Sequence, residues 1–148
     1  SVNIPFIISG PGIPKNQQRN AFVYLLDIFP TLCELTGVQK PAAAEGSSLI
    51  GVIKDAGKKV RPTAYFRYRE LQRAVRNEQY KLIEYNVAGK RTTQLFDLKN
   101  DPAEISNLFT NQSYHQQLVL LRQQLLQSKA ATGDDGIFWN GYQNYIKQ

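Results

Sequence analysis

Methionine is absent from this 148-residue chain, and cysteine, histidine and tryptophan occur once each. A lone Cys33 excludes an internal disulfide. One cysteine and one distant histidine, His115, exclude a zinc site. Cys33 lies in Thr31-Leu32-Cys33-Glu34-Leu35, an apolar and helical setting that reads as a buried, inert thiol rather than a nucleophile. No apolar run approaches the roughly 18 residues a membrane span needs, and runs such as IPFII at residues 4–8 are strand-sized. There is no long Lys/Arg run, no internal repeat and no low-complexity tract. No signal peptide is visible. A start at Ser1 without Met reads as a processed chain or a piece of a longer one, so the missing signal leaves the compartment open.

What is present argues for a folded globule. Hydrophobic residues make up 42% of the chain, and eight Tyr, seven Phe and one Trp supply large side chains for a core. The length is that of one domain. The net charge of +6 favours an anionic partner, whether nucleic acid, acidic glycan or an acidic neighbouring domain, without choosing among them.

Residues 4–9 (IPFIIS) are apolar on both faces, as in a strand of a parallel sheet covered on both sides. Such a strand at the start of a chain needs neighbours from elsewhere. Residues 21–26 form a second strand candidate. Asp27 then fits an N-cap, Pro30 a first helical turn and Gly37 a left-handed helix end, so residues 28–36 read as a short helix. Residues 47–54 suggest another. The basic connector Lys58-Lys59-Val60-Arg61-Pro62 marks a boundary, giving parts 1–60 and 61–148.

The second part changes period. Residues 63–69, 73–77, 80–86 and 93–98 read as four strands on short connections, an antiparallel meander. Asp101-Pro102-Ala103-Glu104 has the order of a helix start. Residues 114–131 predict a longer helix whose stripe of Leu118, Leu121, Leu125 and Ser128, widened by Leu120 and Leu126, packs on the sheet. Gly133-Asp134-Asp135-Gly136 ends it. The fold class is therefore α+β, a sheet of about four strands packed by a C-terminal helix.

Five pieces then stand in one order: IPFIISGPGI (4–13); LDIFPTL (26–32) with Gly37; EGSSL (45–49); RAVR (73–76) with YKLI (80–83); and LFDL (95–98) with Asp101-Pro102-Ala103-Glu104 and Asn107-Leu108. Together they span about three quarters of the chain and resemble the C-terminal region of a sulfatase, in the alkaline-phosphatase-like superfamily. The resemblance implies that residues 1–60 are the end of the large α/β domain and that 61–148 are a small subdomain. It also implies a parent that hydrolyses sulfate esters with a formylglycine nucleophile and a divalent metal, usually calcium, both outside this chain. Cys33 is followed by Glu-Leu-Thr and does not match the C-x-[PA]-S-R context of formylglycine. No catalytic or metal role is assigned to any residue here. The partners implied are the N-terminal catalytic domain and a sulfated carbohydrate, with no nucleic acid and no membrane, in a periplasmic or secreted parent.

Arg67 and Arg69 are the candidate substrate-binding residues. Two apart in a strand, they would share one face, with Phe66 and Tyr68 on the other, and paired guanidiniums suit an anion. The competing reading is an ion-paired sheet face. Arg76 reads as structural, paired with a carboxylate such as Asp97 or Glu84. Asp101 and Glu104 read as caps rather than metal ligands. Tyr85, Trp139 and Tyr142 read as core more readily than as sugar platforms. Asn111-Gln112-Ser113 is a formal glycosylation sequon. Two alternatives to a sulfatase fragment stand: a fragment of a phosphodiesterase or phosphonate monoester hydrolase of the same superfamily, and a stand-alone polyanion-binding module.

Overall fold

A computed structural model describes residues 4–146 and divides the chain after Pro62 into two compact units. In the first, α1 (Ile28–Thr36) and α2 (Ile50–Lys54) are joined by irregular backbone. α1 ends at Gly37, which holds φ 70°, the left-handed cap expected from its sequence.

Asp27 is the organising residue of this unit. It stands at the N-cap of α1, yet its carboxylate does not cap the helix. It is buried and accepts the N–H groups of Tyr24 (2.7 Å) and Ser47 (2.9 Å) and both terminal nitrogens of Arg61 (2.7 and 2.8 Å). Burial raises its pKa, but the hydrogen bonds from Arg61 and the backbone outweigh this and hold it below the ordinary carboxylate range. Thr31 extends the link by donating to the Asp27 carbonyl (2.6 Å) and accepting from the Leu49 N–H (2.9 Å).

Two expected strands do not form here. Residues 4–9 have no regular secondary structure and join no strand; the sheet among the described residues consists of four later strands. Residues 21–24 have no regular secondary structure, and Leu25–Asp27 turn into a 3-10 helix, drawn round by the Tyr24 N–H bond to Asp27.

The second unit is the α+β fold the sequence indicates. β1 (Ala64–Tyr68), β2 (Gln72–Arg76), β3 (Tyr80–Val87) and β4 (Lys90–Asp97) lie in sequence order, all antiparallel. The β3–β4 turn places Ala88 (φ 49°) and Gly89 (φ 81°) both left-handed, the backbone a tight hairpin needs. α3 (His115–Thr132) lies over one face, and Gly133 closes it at φ 62°. Leu118, Leu121 and Leu125 meet Val75, Leu82 and Leu95 beneath, with Phe138 from a 3-10 turn (Ile137–Trp139) and Tyr142 from the C-terminal α4 (Tyr142–Tyr145) joining the same cluster. Each fully buried Leu or Phe here stabilises the unit by roughly 1.5–3 kcal/mol. Leu126 widens the stripe as expected; Leu120 points out, 49% exposed, and Arg122 takes a buried place instead.

Asp101-Pro102-Ala103-Glu104 does not start a helix. Asp101 accepts the N–H groups of Ile105 (3.2 Å) and Ser106 (2.8 Å), four and five residues on rather than the two or three of a helix cap, and Glu104 sits at φ 57° and breaks the helical path. The Glu104 carboxylate is drawn to Lys81 Nζ at 2.7 Å. The segment runs along β4 instead: Asn107 accepts the Leu95 N–H (3.0 Å) and donates to the Thr93 carbonyl (3.2 Å), while the Leu108 N–H reaches the Leu95 carbonyl (2.8 Å). An otherwise open sheet edge is thereby covered.

Candidate functional site

The charged side chains of the second unit gather at the β1–β2 connection. β1 stops at Tyr68, and Arg69 adopts φ 46°, so the chain reverses through Arg69, Glu70 and Leu71. Arg67 and Arg69 therefore do not share a strand face, because Arg69 lies in the turn. Both are exposed. Arg67 donates to Glu70 Oε1 at 2.5 Å and lies 3.1 Å from Asp134 Oδ1. Arg69 sets its guanidinium 5.6 Å from the Tyr68 ring centre, and that ring is 56% exposed.

Beneath this tip lies a buried frame. Arg73 Nε donates to Asp134 Oδ2, and Nη2 donates to Asp134 Oδ1 (3.1 Å) and Glu70 Oε2 (3.0 Å). Its remaining nitrogen donates to the carbonyls of Arg69 (2.6 Å) and Gln72 (3.0 Å). Its guanidinium lies 4.7 Å from the Phe138 ring centre. Glu70 also accepts the Phe138 N–H at 3.0 Å. Tyr65 donates its hydroxyl to Asp134.

The electrostatics follow from this geometry. Burial alone would raise the Asp134 pKa, but hydrogen bonds from Arg73 and Tyr65 hold the carboxyl far below its ordinary range. Burial, followed by the Asp134 carboxylate, pushes the Tyr65 hydroxyl well up. The Phe138 N–H, with Arg73 and Arg67, lowers Glu70. Arg73 is saturated by these partners and fixes the turn. Arg69, carried on a backbone that Arg73 holds, points its cation and the Tyr68 ring outward. That pairing can meet an anionic group and a sugar ring together.

A second charged cluster is closed to ligands. Glu84, fully buried between sheet and α3, accepts from Arg122 Nε (2.9 Å), Thr93 Oγ1 (2.6 Å) and the Tyr142 hydroxyl (3.2 Å). Burial raises its pKa, only partly offset by these donors. Sequence reasoning missed Arg122; its place between Leu118 and Leu125 on the apolar stripe was the available signal. Reasoning also missed Asp134, which looked like a helix terminator.

The aromatic candidates belong to the core. Tyr142 is buried, Trp139 stacks edge-on against Phe138 and Tyr142, both at 5.1 Å, and the Tyr85 hydroxyl donates to Gln94 (3.2 Å). Cys33 is buried in α1. Asn111 accepts the Ser113 N–H at 3.0 Å within its own turn. Among the described residues, no group of three or more His, Cys, Asp or Glu is placed to hold a metal ion.

Residues 1–131 match the family described as N-sulphoglucosamine sulphohydrolase, C-terminal. The chain belongs to this family of sulfatase C-terminal domains. It is 34% identical over 125 residues to a delta 4,5-hexuronate-2-O-sulfatase of Bacteroides thetaiotaomicron, covering 76% of this chain and 25% of that protein. It is 30% identical over 122 residues to arylsulfatase K of Mus musculus, covering 74% of this chain and 22% of the relative. Among solved structures, one assigned as a sulfatase from Bacteroides thetaiotaomicron superposes with a TM-score of 0.72 at 32% identity, over 88% of this chain and 30% of that one. A second, solved in complex with its substrate D-glucosamine-2-N,6-O-disulfate, gives a TM-score of 0.66 at 26% identity, over 76% and 25%. The phosphonate monoester hydrolase of Agrobacterium radiobacter shares the fold at 22% identity and a TM-score of 0.55. The chain thus spans about a quarter of the length of the curated relatives it matches.

Proposed function

We propose that this chain is the C-terminal portion of a sulfatase, that it provides scaffold and one wall of the substrate cleft, and that it does not hydrolyse sulfate esters by itself. The observation that carries the reading is the family match over residues 1–131 combined with coverage of only a quarter of each curated relative. In this reading, residues 1–60 complete the large α/β domain and 61–148 form the small subdomain. The formylglycine nucleophile and calcium belong to the remainder of the parent.

The substrate class proposed is a sulfated carbohydrate. Relatives of this chain include a hexuronate-2-O-sulfatase and a protein bound to a disulfated glucosamine. Arg67 and Arg69 are the residues proposed to meet it. Arg69 is the stronger of the two, because Arg67 is already engaged by Glu70 and Asp134.

Two measurements test the reading. The coding sequence directly upstream of Ser1 is expected to carry a C-x-[PA]-S-R motif. The polypeptide encoded from that motif through Gln148 is expected to release sulfate from a sulfated monosaccharide, and the 148-residue chain alone is not. Sulfate release by the purified chain alone would overturn the proposal. A different nucleophile motif upstream would transfer the reading to a related phosphoesterase.

A further inference from the structure

α3 lies on one face of the sheet, and the opposite face carries a different kind of surface. Tyr65, Val75, Leu82 and Leu95 stand in one cross-strand row on the α3 side. Side chains alternate along a strand, so the row three residues nearer the β1–β2 turn points the opposite way. That row is Tyr68, Gln72, Tyr85 and Thr92, paired in register across all four strands. It spans three strand spacings, roughly 14 Å. Tyr68 is 56% exposed, Thr92 is exposed, and Gln72 and Tyr85 are half-buried. The Tyr85 ring packs on the small cluster of Ala74, Ile83 and Phe96, and its hydroxyl donates to Gln94 at 3.2 Å, which fixes the ring in place. A cation stands at each end. Arg69 lies 5.6 Å from the Tyr68 ring centre. Lys90 is exposed, two residues from Thr92 and on the same face, beside the exposed Val87. Neither cation forms an ion pair among the described residues. The row itself carries no carboxylate.

Two tyrosine rings offer flat apolar faces with polar tips, and Gln72 and Thr92 offer donors and acceptors between and beside them. Such a surface suits a ring that is apolar on its faces and hydroxylated around its rim, which is a sugar. The guanidinium and ammonium groups on either side add contacts for two separate anions. We infer that the row Tyr68–Gln72–Tyr85–Thr92 is a platform for the glycan chain beyond the reacting sugar, with Arg69 and Lys90 meeting its sulfate or carboxylate groups. The inference rests on the proposed function for the sulfated carbohydrate, and adds that the substrate is longer than one sugar, since the row is wider than a single sugar ring. A protein partner fits less well, because the row lacks the aliphatic side chains of an interface core. A single-stranded nucleic acid also stacks on aromatic rings beside cations, and the test separates it from a glycan.

The test titrates three probes into the 148-residue chain: a heparin-derived tetrasaccharide, its desulfated counterpart and a single-stranded DNA of matching charge. The sulfated tetrasaccharide is expected to shift the backbone amides of residues 68–72, 85–87 and 90–92, and to bind about tenfold more tightly than either other probe. Tyr68→Ala and Lys90→Gln, both at exposed positions, are each expected to weaken it about fivefold, and together about 20-fold. Lys99→Gln, exposed beyond the far end of β4, is expected to leave it unchanged. Should the double variant misfold by circular dichroism, the two single variants carry the test. In the polypeptide encoded from the upstream motif through Gln148, the double variant is expected to lose about tenfold of its preference for the sulfated tetrasaccharide over a sulfated monosaccharide. Absence of binding, amide shifts confined to other residues, unaltered affinity in the variants, or equal affinity for the DNA would each overturn the inference. A parent that releases sulfate and keeps its full preference in the double variant overturns the inference alone. Binding through the row by a parent that releases no sulfate overturns the proposed function and leaves the glycan platform standing.

Discussion

Arg73 and Asp134, 61 residues apart in sequence, form an ion pair whose side chains are 0% and 2% exposed, joined through Nε–Oδ2 and Nη2–Oδ1. The pair ties the β1–β2 turn to the segment after α3, so the backbone that presents Arg69 is held from two directions. A buried pair of this kind is costly to break and much less costly to replace whole.

Asp134→Ala should therefore destabilise the second unit by about 3–5 kcal/mol, because Arg73 stays buried without its carboxylate. Arg73→Met/Asp134→Leu should lose distinctly less than the single change. Urea unfolding of the three proteins, read as a double-mutant cycle, checks both statements. Equal losses in the single and double variants would contradict the pair's role.

The pH dependence has two opposing parts. Asp134 has a lowered pKa when folded, so its contribution is present above the ordinary value of about 3.9 and is lost as pH falls through the folded value. Glu84 has a raised pKa when folded, so its contribution is present below about 4.3 and is lost as pH rises through the folded value. Asp134→Asn should lessen the loss of stability below about pH 4. Glu84→Gln should remove the gain on acidification through the Glu84 range. Thermal unfolding between pH 2 and pH 7 separates the two, within roughly the window these values set.

Arg122→Ala should destabilise the second unit by about 3–5 kcal/mol at neutral pH, since it strands Glu84 in the core. The loss should shrink at acid pH, where Glu84 takes a proton. A loss independent of pH would mean that packing of the Arg122 stem, rather than its charge, dominates.

Gly46 sits at φ 90°, and a Cβ there would run into the Leu26 carbonyl. Gly46→Ala should unfold the first unit while leaving the sheet and α3 intact. Near-native hydrogen-exchange protection in β2–β4, with lost protection in α1, is the expected pattern.

Arg69→Ala should leave thermal stability almost unchanged, as its side chain is exposed and lies beside the exposed Tyr68 ring. In the full-length parent it should raise KM for a sulfated sugar with kcat little altered, the signature of lost ground-state binding. Arg67→Ala should combine a smaller KM effect with a measurable loss of stability through Glu70 and Asp134.

Most of the architecture was legible because it rests on local pattern. The alternation in residues 63–98, the leucine spacing in α3 and the glycines at 37 and 133 each specify backbone within one turn or one hairpin. The failures share a cause. Asp101-Pro102-Ala103-Glu104 has every local mark of a helix start, but Lys81 and the edge of β4 compete for its groups and win. Arg69 reads as strand by composition, yet Glu70 is recruited by Arg73 and the Phe138 N–H, which turns the chain one residue earlier. The role of Asp134 was invisible because its partners Tyr65, Arg67 and Arg73 lie on β1 and β2, more than sixty residues away.

The sequence by itself determined the α+β class, the meander and its covering helix, the punctuation of α1, and the family, because periodicity, turn chemistry and ordered motifs are written in short stretches. Tertiary structure alone decided which carboxylate holds which guanidinium, where the β1–β2 turn falls and what becomes of residues 4–9. Those outcomes depend on groups brought together from distant parts of the chain, where desolvation and competition for partners outweigh local preference.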